Sequence, residues 1–253
     1  MSRATLASPS LAVQRGILGA VLLVVCWEGL ARGLHLPSYV LPAVSEILTG
    51  VWSKRALLGE AACYTLLEAV VGYGLGCLIG VGLAVVITML PAVRAVILPA
   101  ATAVNSVPVV GYSPLMLLWF GIGIVSKMAM VAMAVSFIVF LSTLAGLDRV
   151  DRRAIDLMRS FGAGRLSILW RLRLPTALPL LLAGMRVSTV RSVIVAIITE
   201  MLGAYGGLGW VIYQAVLQID FVQVWSAIFV ASAASLAFFG LVGFLERRIL
   251  FWT

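Results

Sequence analysis

Four stretches of this chain run for 20 residues or more without a charge: Ala69 to Val93 (25 residues), Ala95 to Ser126 (32), Met128 to Leu147 (20) and Phe221 to Leu245 (25). As helices rising 1.5 Å per residue, each is long enough to cross the ~30 Å hydrocarbon core of a bilayer. Lipid offers no partner for backbone polar groups, so a chain crossing it forms helices or a closed barrel, and runs of this length predict helices. Two further segments fit with charge inside them: Gly16 to Ala31 holds Glu28, and Ala177 to Met201 holds Arg186, Arg191 and Glu200. The fold class expected is therefore an all-α membrane protein with six transmembrane helices. The first segment has an alternative reading as a signal peptide, because its charge-free core runs only from Gly16 to Trp27 and Gly29-Leu30-Ala31 is a weak cleavage site.

Composition agrees: with 62% hydrophobic and 11% charged residues there is too little polar surface for a soluble globule. The net charge of +8, from 18 basic against 10 acidic residues, reads as a topology signal and not as a nucleic-acid surface. Placing the N-terminus inside puts twelve arginines on that side (Arg3, Arg15, Arg94, Arg149, Arg152, Arg153, Arg159, Arg165, Arg171, Arg173, Arg247 and Arg248) and only Arg32, Lys54, Arg55 and Lys127 outside. Both termini are thus expected in the cytoplasm. The whole of residues 1–253 reads as one transmembrane domain, with a core over about residues 60–247 and a cytoplasmic loop over about residues 148–175.

That loop holds seven of the 18 basic residues. Asp151 can cap a short helix that Gly162 and Gly164 stop, with Ala154, Leu157, Met158 and Phe161 along one face and Arg152, Arg153, Asp156 and Arg159 along the other. So short a helix is marginal alone, so its apolar face is expected to bury against a partner protein or against the chain's own membrane-proximal helices.

Within the spans, Gly72, Gly76 and Gly80 at spacing four predict close helix packing inside the subunit. Pro99, Pro108 and Pro114 break the 32-residue run, so a bend or re-entrant turn is expected near Asn105-Ser106. Asn105, Ser106 and Pro108 then either line a path or belong to a simple proline kink. Arg186 is expected to snorkel or to pair structurally, whereas the deeper Arg191 is expected to face a path, along which Glu200 is also placed. Cys26, Cys63 and Cys77 lack metal spacing and read as packing residues.

Catalysis finds little material. His35 is the single histidine and falls in an external loop, and Glu28 and Glu68 read as isolated carboxylates in structural hydrogen bonds. No Gly-Lys-Ser/Thr follows the glycines of residues 72–82, so no phosphate-cradling loop is expected. A membrane enzyme is disfavoured on these grounds. A channel or secondary transporter would show repeated halves, and no repeated segment is found.

The loop RAIDLMRSFGAGRLSILWRLRLPTALP resembles the cytoplasmic loop of permease subunits of bacterial binding-protein-dependent ABC importers, whose pattern runs Glu-Ala-Ala, three residues, Gly, then an apolar segment ending in Pro. Asp156-Leu157-Met158 stands at Glu-Ala-Ala, Gly162 at the glycine, and Leu174-Pro175 at the end. Leu41 to Glu46, Pro114 to Lys127, Thr199 to Ile212 and the terminal Glu246 to Trp252 extend the likeness, and together they resemble the nitrate, sulfonate and taurine branch. That branch usually carries Arg-Pro-Ile-Pro-Pro in its third span, where this chain has Asn105-Ser106-Val107-Pro108-Val109.

The resemblance implies a type I importer permease in the bacterial inner membrane. Two permease subunits, expected to be a homodimer, would form the path. Separate ATPase subunits would bind ATP and Mg, so this chain needs no cofactor and is not itself the enzyme. An extracytoplasmic binding protein would deliver a small solute such as a sulfonate, nitrate or taurine, the alternative being a neutral or cationic nutrient such as a vitamin precursor. The implied ATPase-docking set is Ala154, Asp156, Leu157, Met158, Ser160, Phe161, Gly162 and Ala163.

Overall fold

Apolar runs broken by few prolines give long helices, and the computed structural model of the chain, described for residues 9–35 and 37–250, contains helices and turns with no strand among those residues. Arg3 and Trp252 lie outside the described residues. In chain order the helices are α1 (Pro9–Gly33), α2 (Val44–Ser53), α3 (Arg55–Met89), α4 (Arg94–Ser106), α5 (Val109–Phe120), α6 (Ile124–Asp148), α7 (Arg152–Ser160), α8 (Arg165–Ile168), α9 (Leu174–Gly203), α10 (Leu208–Leu217) and α11 (Phe221–Ile249). A single π turn, Leu169–Arg173, joins α8 to α9. Five of the long helical segments are able to cross a bilayer, and α4 with α5, taken as one broken span, makes the sixth.

The break between α4 and α5 is a bend of 97°. Its cause is local. Val107 precedes Pro108, whose ring excludes the helical region for the residue before it, and Val107 is accordingly extended at φ −80°, ψ 130°. Pro99 and Pro114, by contrast, sit inside continuous α4 and α5.

The centre of the bundle is α3, α6 and α9, and its close approach depends on missing side chains. A Cβ on Gly72 would lie 2.6 Å from Val131 Cβ, one on Gly76 2.7 Å from Val135 Cβ, and one on Gly80 2.5 Å from the Ser136 carbonyl oxygen. Gly146 meets the backbone of Ala177 in the same way across α6 and α9. Around these contacts Tyr73, Val131, Val135, Val139, Val193 and Phe238 fill one core cluster. Overpacking a fitted contact costs about 1–3 kcal/mol. Gly76→Ala should therefore lower stability by that amount in a detergent melting experiment. Gly74→Ala, with no atom within 4 Å of its Cβ, should melt like the wild type.

The first helix stands apart from this core. Trp27 donates from Nε1 to the Pro42 carbonyl (3.1 Å) and meets the Trp225 ring edge-on at 5.1 Å. Glu28 accepts from Arg32 Nε (2.7 Å), Ser45 Oγ (2.8 Å) and the Ser45 N–H (3.2 Å), which is a structural hydrogen-bond set. At the same end Lys54 Nζ reaches Asp220 (2.7 Å) and Gln223 (2.5 Å), pinning the α2–α3 corner to the start of α11. Partial burial works against the charge of Asp220, but Lys54 and the Gln223 N–H outweigh it and hold the carboxyl below its usual range. One packing expectation needs correction: Cys77 is buried, but Cys26 and Cys63 are exposed, because each lies on the outer side of its helix.

Candidate functional site

The loop helix α7 is built from its ends. Asp151 Oδ1 accepts the Arg153 N–H at 3.0 Å, the N-terminal cap expected from sequence. At the other end Gly162 adopts φ +80°, a left-handed conformation that favours glycine, and two bonds close the turn: Gly162 N–H to Arg159 O (2.8 Å) and Ala163 N–H to Met158 O (2.9 Å). That is the Schellman arrangement, with Met158 and Ala163 in the accompanying apolar contact.

Its apolar residues divide between two directions. Ile155 is buried, and Met158 and Ala163 pack with it against Val150, Ile168 and Leu172 of the same chain. Leu157 and Phe161 point away, 59% and 83% exposed. Ala154 is half-buried, whereas Asp156, Ser160 and Gly162 are exposed. The single face expected over Ala154, Leu157, Met158 and Phe161 is therefore corrected: Met158 turns inward beside Ile155, which lies three positions before it on the same side. Ile155 was missed because the basic residues around it mask its period, and its spacing to Met158 was the available signal.

The elbow between α4 and α5 covers a cavity of about 330 Å³ against α6. Asn105, Tyr112, Phe137 and Phe140 are among its walls, and no charged side chain lines it. Tyr112 donates to the Val104 carbonyl (2.9 Å), bridging the break, and Ser106 donates to the Thr102 carbonyl of its own helix (2.8 Å). Ser106 and Pro108 are exposed at the elbow and do not line the cavity. The carboxamide of Asn105 makes no hydrogen bond among the described residues.

The charged residues of α9 take three different settings. Arg186 pairs with Glu246 (3.4 Å) and lies 4.5 Å over the Phe239 ring, a structural partnership with α11. Arg191 is exposed on the middle of the helix, between the exposed Val187 and Ile194. Glu200, placed along a path by expectation, sits instead in the interior at 1% exposure. Its carboxylate accepts from Thr65 Oγ1 (2.7 Å) and from the Gly209 N–H (2.6 Å), while Thr65 accepts the Leu208 N–H (2.8 Å). Gly207, at φ +94°, leaves no space for a side chain beside that carboxylate.

Around Glu200 a charge cluster forms that sequence reasoning did not assemble. The carboxyl of Glu68 faces it from α3, and Lys127 lies within Coulombic reach of both. Lys127 is 1% exposed and not the loop lysine expected; its ammonium donates to the carbonyls of Ile122 and Gly123. The cluster joins α3, α6, α9, the start of α10 and the α5–α6 turn at the end of the bundle opposite α7. The Glu68 oxygens are buried without a hydrogen-bond partner among the described residues, so the structural hydrogen bond expected there is not formed; the bonds of Glu200 to Thr65 and to the Gly209 N–H are what hold α3, α9 and α10 in register.

Residues 72–251 match the model of a family described as the inner membrane component of binding-protein-dependent transport systems. The chain belongs to this family. The permease is 30% identical over 237 residues to the formylaminopyrimidine transport permease protein ThiX of Halalkalibacterium halodurans, covering 92% of this chain and 93% of that one. It is 36% identical over 148 residues to the taurine transport system permease protein TauC of Escherichia coli, covering 58% and 53% of the two chains. Among solved structures, a chain of an amino acid ABC transporter superposes with a TM-score of 0.64 at 18% identity, covering 78% of this permease and 96% of that chain. The fold is that of type I ABC importer permeases, the chain is an inner-membrane importer permease, and the family works with an ATPase and a binding protein.

Proposed function

We propose that two copies of this permease enclose a path for a small solute handed over by an extracytoplasmic binding protein, and that α7 carries the movement of a separate ATPase into the membrane. The observation that carries this reading is Leu157 and Phe161, two large apolar side chains held outward on a helix capped at both ends and anchored by Ile155. A rigid helix with an exposed apolar tip and a fixed base is suited to transmitting force to the spans it precedes. ATP and Mg are bound on the partner ATPase in this reading. The arginine-rich α7 end of the bundle faces the cytoplasm with both termini. ATP-dependent uptake by the assembled importer in proteoliposomes tests it, and uptake that ignores ATP would overturn it.

Pairing with a second copy is supported by Arg191. A guanidinium in the middle of a span is costly against lipid, so the exposed face of Val187, Arg191 and Ile194 is better placed against a partner copy or an aqueous path. There Arg191 would attract an anionic group, the chemistry carried by the taurine relative. Losing one charge-assisted hydrogen bond costs about 1.5–3 kcal/mol, so Arg191→Met should cut uptake of such a solute about tenfold or more while assembly, read by co-purification, stays intact. Unchanged uptake would remove Arg191 from the path.

A second reading is favoured by the cavity at the elbow. Its aromatic walls, lack of charge and free Asn105 carboxamide suit a neutral ring-bearing nutrient, the class that the formylaminopyrimidine relative carries. In that case Asn105→Leu should impair uptake and Arg191→Met should not. The opposite pattern selects the anion.

A further inference from the structure

Where α3 reaches the end of its span at Met89, the chain folds back under it and leaves a cavity of about 160 Å³. Three arginines from three different elements converge there: Arg159 of α7, Arg165 of α8 and Arg173 from the π turn. Met89, Ile155 and Ile168 form its apolar floor. Three guanidiniums drawn together repel one another unless an anion sits among them, and this end of the bundle has few carboxylates to spare. Asp148 is paired with Arg94 (2.8 Å), Asp151 caps α7, and Asp156 reaches only Arg159, at 3.5 Å on an exposed surface. Arg165 and Arg173 have no carboxylate partner among the described residues.

Depth and shape decide the kind of anion. The floor lies level with the last turn of a membrane-spanning helix, where phospholipid phosphates sit, and basic pockets between spans at that level bind anionic head groups. The volume falls below the ~300 Å³ at which whole small-molecule sites begin, so it suits a head group whose acyl chains stay in the bilayer. Helix geometry agrees, for Ile155 and Arg159 are one turn apart on the face of α7 turned to the cavity, while Leu157 and Phe161 occupy the opposite face. We infer that Arg159, Arg165 and Arg173 form a binding site for the phosphate of an anionic phospholipid, which seats the loop helix on the membrane surface from the side opposite its exposed apolar tip.

The site is tested on the assembled importer in nanodiscs of phosphatidylcholine with and without phosphatidylglycerol, reading retained lipid by native mass spectrometry. This readout needs no assumption about where the ATPase docks. Wild type should retain phosphatidylglycerol preferentially. Arg165→Gln and Arg173→Gln should each weaken that retention about fivefold, the effect of removing one basic residue at an anionic surface. Arg165→Lys should keep most of it, which separates charge loss from misfolding. Arg171→Gln, an exposed arginine outside the cavity, should match wild type. Equal retention by the Arg165→Gln/Arg173→Gln variant would overturn the site. Inorganic phosphate raising the melting temperature in pure phosphatidylcholine discs as much as phosphatidylglycerol does in mixed ones would overturn its assignment to lipid.

Discussion

Lys127→Met is expected to lower the unfolding free energy of the permease by roughly 3 kcal/mol or more, the cost of losing two interior hydrogen bonds from a charged donor at about 1.5–3 kcal/mol each. Lys127 is sealed inside the bundle and is the cation within reach of the facing carboxyls of Glu68 and Glu200. Without it, the two facing carboxyls lose the nearby cation and the carbonyls of Ile122 and Gly123 lose their donor. The α5–α6 turn should loosen first, because Lys127 is its tether. Melting of the purified variant against wild type measures the effect, and a double-mutant cycle assigns it. Glu68→Gln added to Lys127→Met takes away one of the two facing carboxyls as well and should restore part of the stability. A wild-type melting temperature for Lys127→Met, or strict additivity in the cycle, would show that the three groups do not act together.

Phe161→Ala is expected to weaken ATPase association about thirtyfold or more, since truncating a buried aromatic anchor costs ~2 kcal/mol or above. The side chain makes little contact within the permease, at 83% exposure, so folding and insertion should not change. Solute-stimulated hydrolysis should fall with association. Ile155→Ala distinguishes the two faces of α7. It removes a buried contact with Val150 and Ile168 and should loosen the permease loop itself, visible as faster proteolysis of residues 150–165 without any ATPase present. Wild-type co-purification and hydrolysis in Phe161→Ala would show that α7 is not the mechanical link.

The spans were legible because their cause is local: 25 charge-free residues demand lipid, and lipid demands a helix. The cap at Asp151, the stop at Gly162 and the break before Pro108 were legible for the same reason, each being a property of one side chain acting on adjacent backbone. The direction of Met158 was not. It depends on Ile155 and on Ile168, which reaches the same cluster only after the chain has turned through Gly162.

The charge cluster shows the limit most clearly. Thr65 and Glu68, Lys127, and Glu200 with Gly209 come from three distant parts of the chain, and read singly Lys127 was an external lysine, Glu68 an isolated carboxylate and Glu200 a path residue. A helical membrane protein with five or six apolar spans and a capped basic loop could thus be read from the residues alone, because hydrophobic length and capping chemistry act over neighbouring residues. Which charged groups are buried near one another, which apolar residues of α7 are left exposed, and that three arginines share one cavity emerge only when the helices pack. Those outcomes follow from which helix faces meet, and glycines that allow α3, α6 and α9 to touch set that meeting across stretches of chain far beyond the reach of any local pattern.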